Sequence, residues 1–189
     1  LLVRQAGQDM ESRLAGLARG LLVAVDQELR FATRLGESVA ALAVLRPDEL
    51  AQFSRPARDL IATAPDILGF ALHDGTTGDL LAQEGAGAQA PEALTDALRQ
   101  EVMAAARAPG PSIGPVRHVD GRAAVPVRVP VRRPGADEVV TVLLAAAVFD
   151  RLFQEAVIPD PWIAALIDPS HRLAGRSRAS ETFVGQTVS

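Results

Sequence analysis

Cysteine, tyrosine and lysine are absent from the chain. Without cysteine, the disulfide test for an oxidising compartment has nothing to act on. Without lysine, every basic side chain is an arginine; together with the abundant alanine this suggests a GC-rich coding sequence. The arginines are scattered and the net charge is −4, so there is no clustered basic face of the kind nucleic acid requires. No apolar run approaches the ~18–20 residues needed to cross a bilayer, and the first residues do not form a signal peptide. Gly85, Ala86 and Gly87 lead into neither a GK[ST] loop nor a Rossmann unit, which argues against a phosphate-binding loop. No Gly-x-Ser-x-Gly elbow surrounds Ser112, so Ser112, His118 and Asp120 do not read as a hydrolase triad. His73 with Asp74, and His118 with Asp120, would each offer two metal ligands where a site needs three or four. No catalytic residue, metal or cofactor is expected.

What is present is a chain of 189 residues with 48% apolar and 22% charged side chains. That composition predicts a packed core, and the length suits one domain or one plus part of another. The chain opens on Leu1, Leu2 and Val3 without a methionine, and reads as a segment of a longer protein. Residues 5–46 contain no proline, and apolar residues return every three or four positions. One stripe runs through Met10, Leu14, Leu17, Leu21, Phe31, Leu35, Leu42 and Leu45, and a second through Leu22, Val25, Leu29, Ala32 and Val39. This spacing predicts a single helix, roughly 60 Å long at ~1.5 Å per residue. A helix that long is expected to pack on its own domain with one stripe and on a partner chain with the other.

Pro47 should end it and open a second helix to about residue 63, kinked or divided at Pro56. Residues 67–83 read as a β-hairpin around an Asp-Gly turn at Asp74 and Gly75. A helix over 91–108 is expected to bury Ala93, Leu94, Ala97, Leu98, Val102 and Ala105, and Pro109, Gly110 and Pro111 stop it. Strands are predicted at 112–118, 122–132 and 138–149. In the middle one, Val125, Val127, Val129 and Val131 face one way and Ala124, Pro126, Arg128, Pro130 and Arg132 the other; its two prolines argue for an edge or a bulge. A short helix follows over 150–156. The fold class is therefore α+β: a long N-terminal helix packed on a five-stranded antiparallel sheet. Residues 162–168, ending in Asp168, and the return over 172–176 repeat the pattern of the first hairpin. They read as the start of a second, similar module, or else as an extra hairpin extending the first sheet. The divisions are 1–46, 47–157 and 158–189.

Three stretches carry a resemblance to a known family. Residues 123–131 (AAVPVRVPV) resemble a strand ending in Val-Pro-Val. Residues 142–149 with Asp150, Arg151, Leu152 and Phe153 resemble a last strand and exit helix. Pro161, Trp162 and the run to Asp168, with Gly175, Arg176, Ser177, Phe183, Val184 and Gly185, resemble the opening of a membrane-proximal module. The pattern is similar to the extracytoplasmic, PAS-like Cache sensor domains, in particular the double-module sensors of HWE-type histidine kinases. The resemblance implies a periplasmic sensing domain of a membrane-bound kinase in a two-component system, tethered by flanking membrane helices outside this chain. It implies a small-molecule ligand such as a carboxylate, amino acid or purine in the concavity of the sheet. The amino-acid-binding subfamily uses tyrosines beside an arginine, and this chain has no tyrosine. A chemoreceptor or diguanylate cyclase sensor, and a ligand-free spacing or dimerisation module, are the alternatives.

Four side chains are candidates for ligand binding. Arg128 would point from mid-strand into the pocket and hold a carboxylate by two hydrogen bonds, or else lie on a solvated face. Arg58, on the helix before the first strand, would reach a ligand or remain an exposed arginine. Ser112 and His73 complete the set, and Trp162 is expected to anchor the second hairpin. The long helix would pair two copies and pass the signal.

Overall fold

The computed structural model describes residues 2–45, 50–88, 95–133 and 136–188. The proline-free opening is one unbroken helix, α1 (Leu2–Leu45). Its inward line runs through Leu21, Val25, Leu29, Ala32, Leu35, Gly36 and Val39, in steps of three or four with Gly36 flanking Leu35. The two stripes read from the sequence thus merge into one broad face, drawn mostly from the second. Phe31, Leu22 and Val23 remain exposed on other sides of the helix.

Helix α2 (Leu50–Thr63) runs through Pro56 as one helix, so the proline does not divide it. Proline inside a helix costs about 3 kcal/mol. Phe53 and Ala57 on either side of it are buried, with Leu60 and Ile61 packed behind them. At about 1.5–3 kcal/mol per large side chain buried, that packing offsets the lost hydrogen bond. Pro47, Asp48 and Glu49 lie outside the described residues.

The sheet is antiparallel throughout. Strands β1 (Ile67–Asp74) and β2 (Leu80–Gly85) form the hairpin, and its turn is closed by Asp74, whose carboxylate accepts from the Thr76 and Thr77 N–H groups at 2.7 and 2.9 Å. Helix α3 (Asp96–Arg107) follows, capped by the Thr95 hydroxyl. It buries Val102, Ala105 and Ala106, while Ala97 is exposed rather than inward; Ala93 and Leu94 lie outside the described residues. Strands β3 (Ser112–Ile113), β4 (Arg117–Val119), β5 (Arg122–Arg133) and β6 (Ala136–Ala145) complete the sheet. The order is β2-β1-β6-β5, with β3 and β4 sharing the far side of β5.

Two boundaries differ from expectation. The strand expected at 112–118 is two short strands, because Gly114 and Pro115 interrupt it and the Val116 N–H leaves the ladder for the Asp168 carboxylate, 2.7 Å away. The strand expected to reach Phe149 ends at Ala145, and Phe149 belongs to helix α4 (Ala147–Glu155). The prolines of β5 follow from the same break. The Pro126 carbonyl accepts from Gly114 N–H at 2.8 Å, so the donorless nitrogen of Pro126 points toward the β3–β4 gap. Pro130 falls beyond the last paired residue of β3. The strand is fully paired to β6 on its other side, so it is half edge and half interior.

The β5 valines are buried on the side of α1, α2 and α4, in one core with Phe70, Leu72, Val140, Val142 and Leu144. Gly36 sets how closely α1 approaches: a Cβ there would lie 2.8 Å from Val129 Cγ2 and 2.9 Å from Val142 Cγ2. The second hairpin, β7 (Ala165–Ile167) and β8 (Leu173–Arg176), forms its own two-stranded sheet and does not extend the first. The four-residue helix α5 (Ser180–Phe183) follows it. Trp162 is 48% exposed and does not anchor the hairpin; Ala174, buried against the main core, does.

Replacing Gly36 with valine should destabilise the fold by about 1–3 kcal/mol through overpacking. Gly20→Ala, on the same helix with nothing within 4 Å of the new methyl, should instead stabilise by about 0.5–1 kcal/mol. Urea melts of the two variants would distinguish a helix packed on the valines from one that is not.

Candidate functional site

With α1, α2 and α4 covering the valine side, the alternate residues of the same strands face α3. There they line a partly open cavity of about 50 Å³, room for about three to five water-sized groups at ~10–15 Å³ each. Its walls are Ala71 and His73 from β1, Leu80 and Gln83 from β2, Thr141 and Leu143 from β6, Arg117 and Val119 from β4, and Leu98 from α3. Gln83 is held by its amide to the Ala86 carbonyl at 2.9 Å. A second, more open cleft of about 230 Å³ lies on the other side of Leu98 and Arg117, with Glu101, Ser170 and Arg172 in its wall.

Two arginines converge on one carboxylate at this end of the sheet. Glu101 of α3 accepts on the same oxygen, Oε2, from Arg128 Nη2 at 2.5 Å and from Arg117 Nη2 at 2.8 Å. Arg128 is only 2% exposed. A guanidinium so deep needs an anionic partner, because losing one member of such a pair costs about 3–5 kcal/mol. Gly114 makes room for it, since a Cβ there would lie 2.7 Å from Arg128 Cζ. Burial lowers the Arg128 pKa first, and the neighbouring Arg117 lowers it further, with Glu101 acting in the opposite direction.

The cavity wall also contains polar atoms with no protein partner. His73 Nδ1 and Thr141 Oγ1 are both buried and make no hydrogen bond, and an unmet polar atom of this kind costs about 1–3 kcal/mol. Burial, and then the Arg128 charge, push the His73 pKa down from 6.5 to about 4, against a hydrogen bond to the Gly78 backbone that raises it. The imidazole is therefore neutral near pH 7. Its Nδ1 is a buried nitrogen without a protein partner. The site thus sets a neutral imidazole, a threonine hydroxyl and Gln83 beside the Arg117 guanidinium in a mostly apolar wall.

Of the four candidates, His73 lines the cavity. Arg128 lies on the cavity side of the sheet, but its guanidinium is committed to Glu101 and does not form part of the wall. Ser112 is its cross-strand partner and also stays out of the wall. Arg58 is on α2, on the opposite side of the sheet, where its exposed guanidinium pairs with Glu84 at 3.2 Å; it does not reach the cavity. His118 and Asp120 do not meet Ser112: Asp120 accepts from the Gly87 N–H, and His118 lies against Gly185. Sequence reasoning missed Arg117, Glu101 and Thr141. Thr141 had a visible signal, as the lone polar residue in the aliphatic run 139–145. Glu101 falls three residues after Leu98, on the same helix face.

No family model matches the chain, and no curated protein resembles it in sequence. Solved structures do. The extracellular domain of the putative histidine kinase rpHK1S-Z16 superposes with a TM-score of 0.75 at 15% identity, over 94% of this chain and 75% of that one. The fold is that of extracellular receptor domains. Two chemoreceptor ligand-binding domains superpose similarly. CtaA of Pseudomonas fluorescens with L-valine gives 0.70 at 13% identity, over 95% of this chain and 80% of that one. PctC of Pseudomonas aeruginosa PAO1 with GABA gives 0.68 at 14% identity, over 94% and 79%. The Cache-type architecture expected from the sequence is thus the one observed. Among the described residues no helix is long and apolar enough to cross a membrane.

Because His73 is held neutral down to about pH 4, the unfolded chain takes up its proton first as pH falls. The stability it contributes is complete above about pH 6.5 and is lost progressively down to about pH 4, roughly 3 kcal/mol in all. Between pH 7 and pH 4.5 the wild type should lose about 2–3 kcal/mol more than His73→Gln, measured by urea melts.

Proposed function

We propose that this chain is the extracytoplasmic sensing domain of a membrane-bound receptor, without enzymatic activity of its own, and that its ligand is a small amino or hydroxy acid bound between the sheet and α3. The observation that carries the reading is the pocket on the α3 side of the sheet, where Arg117 stands beside His73 and Thr141, whose buried Nδ1 and Oγ1 have no protein partner. An arginine suits a carboxylate, and an amino or hydroxyl group on the adjacent carbon would give the unpartnered His73 and Thr141 atoms a hydrogen-bonding neighbour. The size of the cavity favours a ligand of about five non-hydrogen atoms. The neighbours' amino-acid ligands belong to the same chemical class.

The domain is read as the periplasmic part of an inner-membrane histidine kinase in a two-component system. A chemoreceptor output is the second reading, with the CtaA and PctC domains standing beside the histidine kinase domain among the neighbours. Residues 47–157 would be the membrane-distal module and 158–189 the opening of a membrane-proximal one. In support, Asp74 and Asp168 close their turns in the same way, with Asp168 Oδ1 accepting from Ser170 and Arg172 N–H at 2.8 and 2.9 Å. A ligand would shift the balance between two packings of α1 by its differential affinity for them. Two copies would pair along the start of α1, whose apolar line continues through Leu17 and Leu14 ahead of Val25, the first fully buried residue among the described side chains.

Calorimetric titration with two- to four-carbon amino and hydroxy acids should find a ligand, and Arg117→Ala should weaken it at least tenfold, about 1.4 kcal/mol. Silence across the panel would remove the ligand reading and leave a spacing module. Sedimentation at high concentration should show a dimer that Leu17→Glu dissociates, whereas a strict monomer would remove the pairing.

A further inference from the structure

The geometry points to a second binding site, on the other side of the sheet from the α3 pocket, that takes a compact, neutral, apolar molecule. A partly open hollow of about 340 Å³ lies where α1, the β3 end of the sheet and the second hairpin meet. Leu29 of α1 forms one wall and Ile113 of β3 another; Leu166, Ile167 and Pro169 of the hairpin form the third. Val125, Phe149 and Ala174, each at most 3% exposed, close it from behind. Ile113 stands opposite Val127 in the ladder. Directly opposed residues share a side of the sheet, so the hollow belongs to the valine side. It has no residue in common with the cavity that contains His73 and Arg117.

Two observations decide the chemistry of the occupant. The ionisable residue of the wall, Asp168, is buried and already accepts three backbone N–H groups, from Val116 at 2.7 Å, Ser170 at 2.8 Å and Arg172 at 2.9 Å. Its charge is met by protein donors, so a ligand ammonium or carboxylate would lose water there without gaining an open counter-charge. Among the described residues, no buried side-chain polar atom lacking a partner lies in this wall. Water finds little to bond in such a place, whereas apolar surface is driven into it. An apolar cavity of about 150 Å³ takes benzene, so one about twice that size and open on one side suits about ten non-hydrogen atoms. The dimensions favour a small molecule over a protein chain. Small-molecule pockets measure about 300–1,000 Å³, and a stable protein interface needs about 800 Å² from each partner. The large apolar side chains exposed in this wall are Ile113 and Ile167, too few for such an area. An occupant would touch α1 on one side and the second hairpin on the other.

Indole, tryptamine and indole-3-acetate are suitable probes. They share one bicyclic ring, which is neutral in the first, carries an ammonium in the second and a carboxylate in the third. In calorimetric titrations of the full chain at pH 7, indole should bind saturably and at least tenfold more tightly than either charged analogue. The methyl resonances of Leu29, Ile113, Leu166 and Ile167 should move with the titration, while those of Leu80 and Leu143 in the α3 pocket stay in place. Ile113→Glu and Ile167→Glu, both at exposed positions, should each weaken indole at least tenfold. Absence of saturable binding, methyl shifts confined to the α3 pocket, or unchanged affinity in both folded variants would overturn the inference. Equal or tighter binding of a charged analogue would also defeat it, by making this a site for a charged group. If the same methyls shift when the protein alone is concentrated, with a dimer in sedimentation that Ile167→Glu dissociates, a second copy covers the hollow and the inference fails. The acid panel for the α3 pocket is a separate measurement, so either site can fail without the other.

Discussion

The contact between α1 and the valine side of the sheet determines what the rest of the molecule can do. Leu21, Val25, Leu29, Ala32, Leu35, Gly36 and Val39 form a line of small and medium side chains. At Gly36 the helix backbone comes directly onto Val129 and Val142. A β-sheet has two sides, and α1, with α2 and α4 beside it, covers one of them. Because side chains alternate, each valine buried under the helix puts a neighbour on the opposite side. The pocket side of β5, β6 and β1 is thus a consequence of how the helix side packs.

On that second side apolar packing is incomplete, and electrostatics takes over. Arg128 is buried as deeply as the valines flanking it, so α3 must deliver Glu101 to it. The same carboxylate reaches Arg117, which places a cation in the cavity wall while the deeper arginine stays neutralised. His73 adapts differently: with two arginine charges nearby and little water, it remains uncharged. The result is a small space whose polar atoms are few and fixed and whose donors and acceptors are only partly matched by protein.

The gap between β3 and β4 connects this site to the second hairpin. Gly114 leaves space for the Arg128 guanidinium, Val116 gives its N–H to Asp168, and Arg117 enters the cavity wall. Within residues 114–117, three side chains or backbone groups therefore touch the buried arginine, the second hairpin and the site. A regular strand could not do all three, because its N–H groups would be committed to β5. The prolines at 126 and 130 are tolerated beside the same break: Pro126 accepts from the Gly114 N–H without donating back, and Pro130 falls beyond the last paired residue of β3.

Periodicity in the sequence was enough to establish the long helix, the α+β class, the first hairpin and the valine-in, arginine-out alternation of β5. Each of these depends on which side of a single element a residue occupies, and that is local geometry. The sequence could not reveal that the two stripes of α1 form one face, that Pro56 stays inside α2, or that Arg58 lies on the far side of the sheet from the cavity. Nor could it reveal that Trp162 stays exposed while Ala174 holds the hairpin. Those outcomes depend on which elements meet, as does the convergence of Glu101, Arg117 and Arg128 from a helix and two strands. A residue's chemistry is written in the chain, but its partner across space is chosen only when the layers close. That is why the fold could be read from the sequence while the composition of the site could be read only in part.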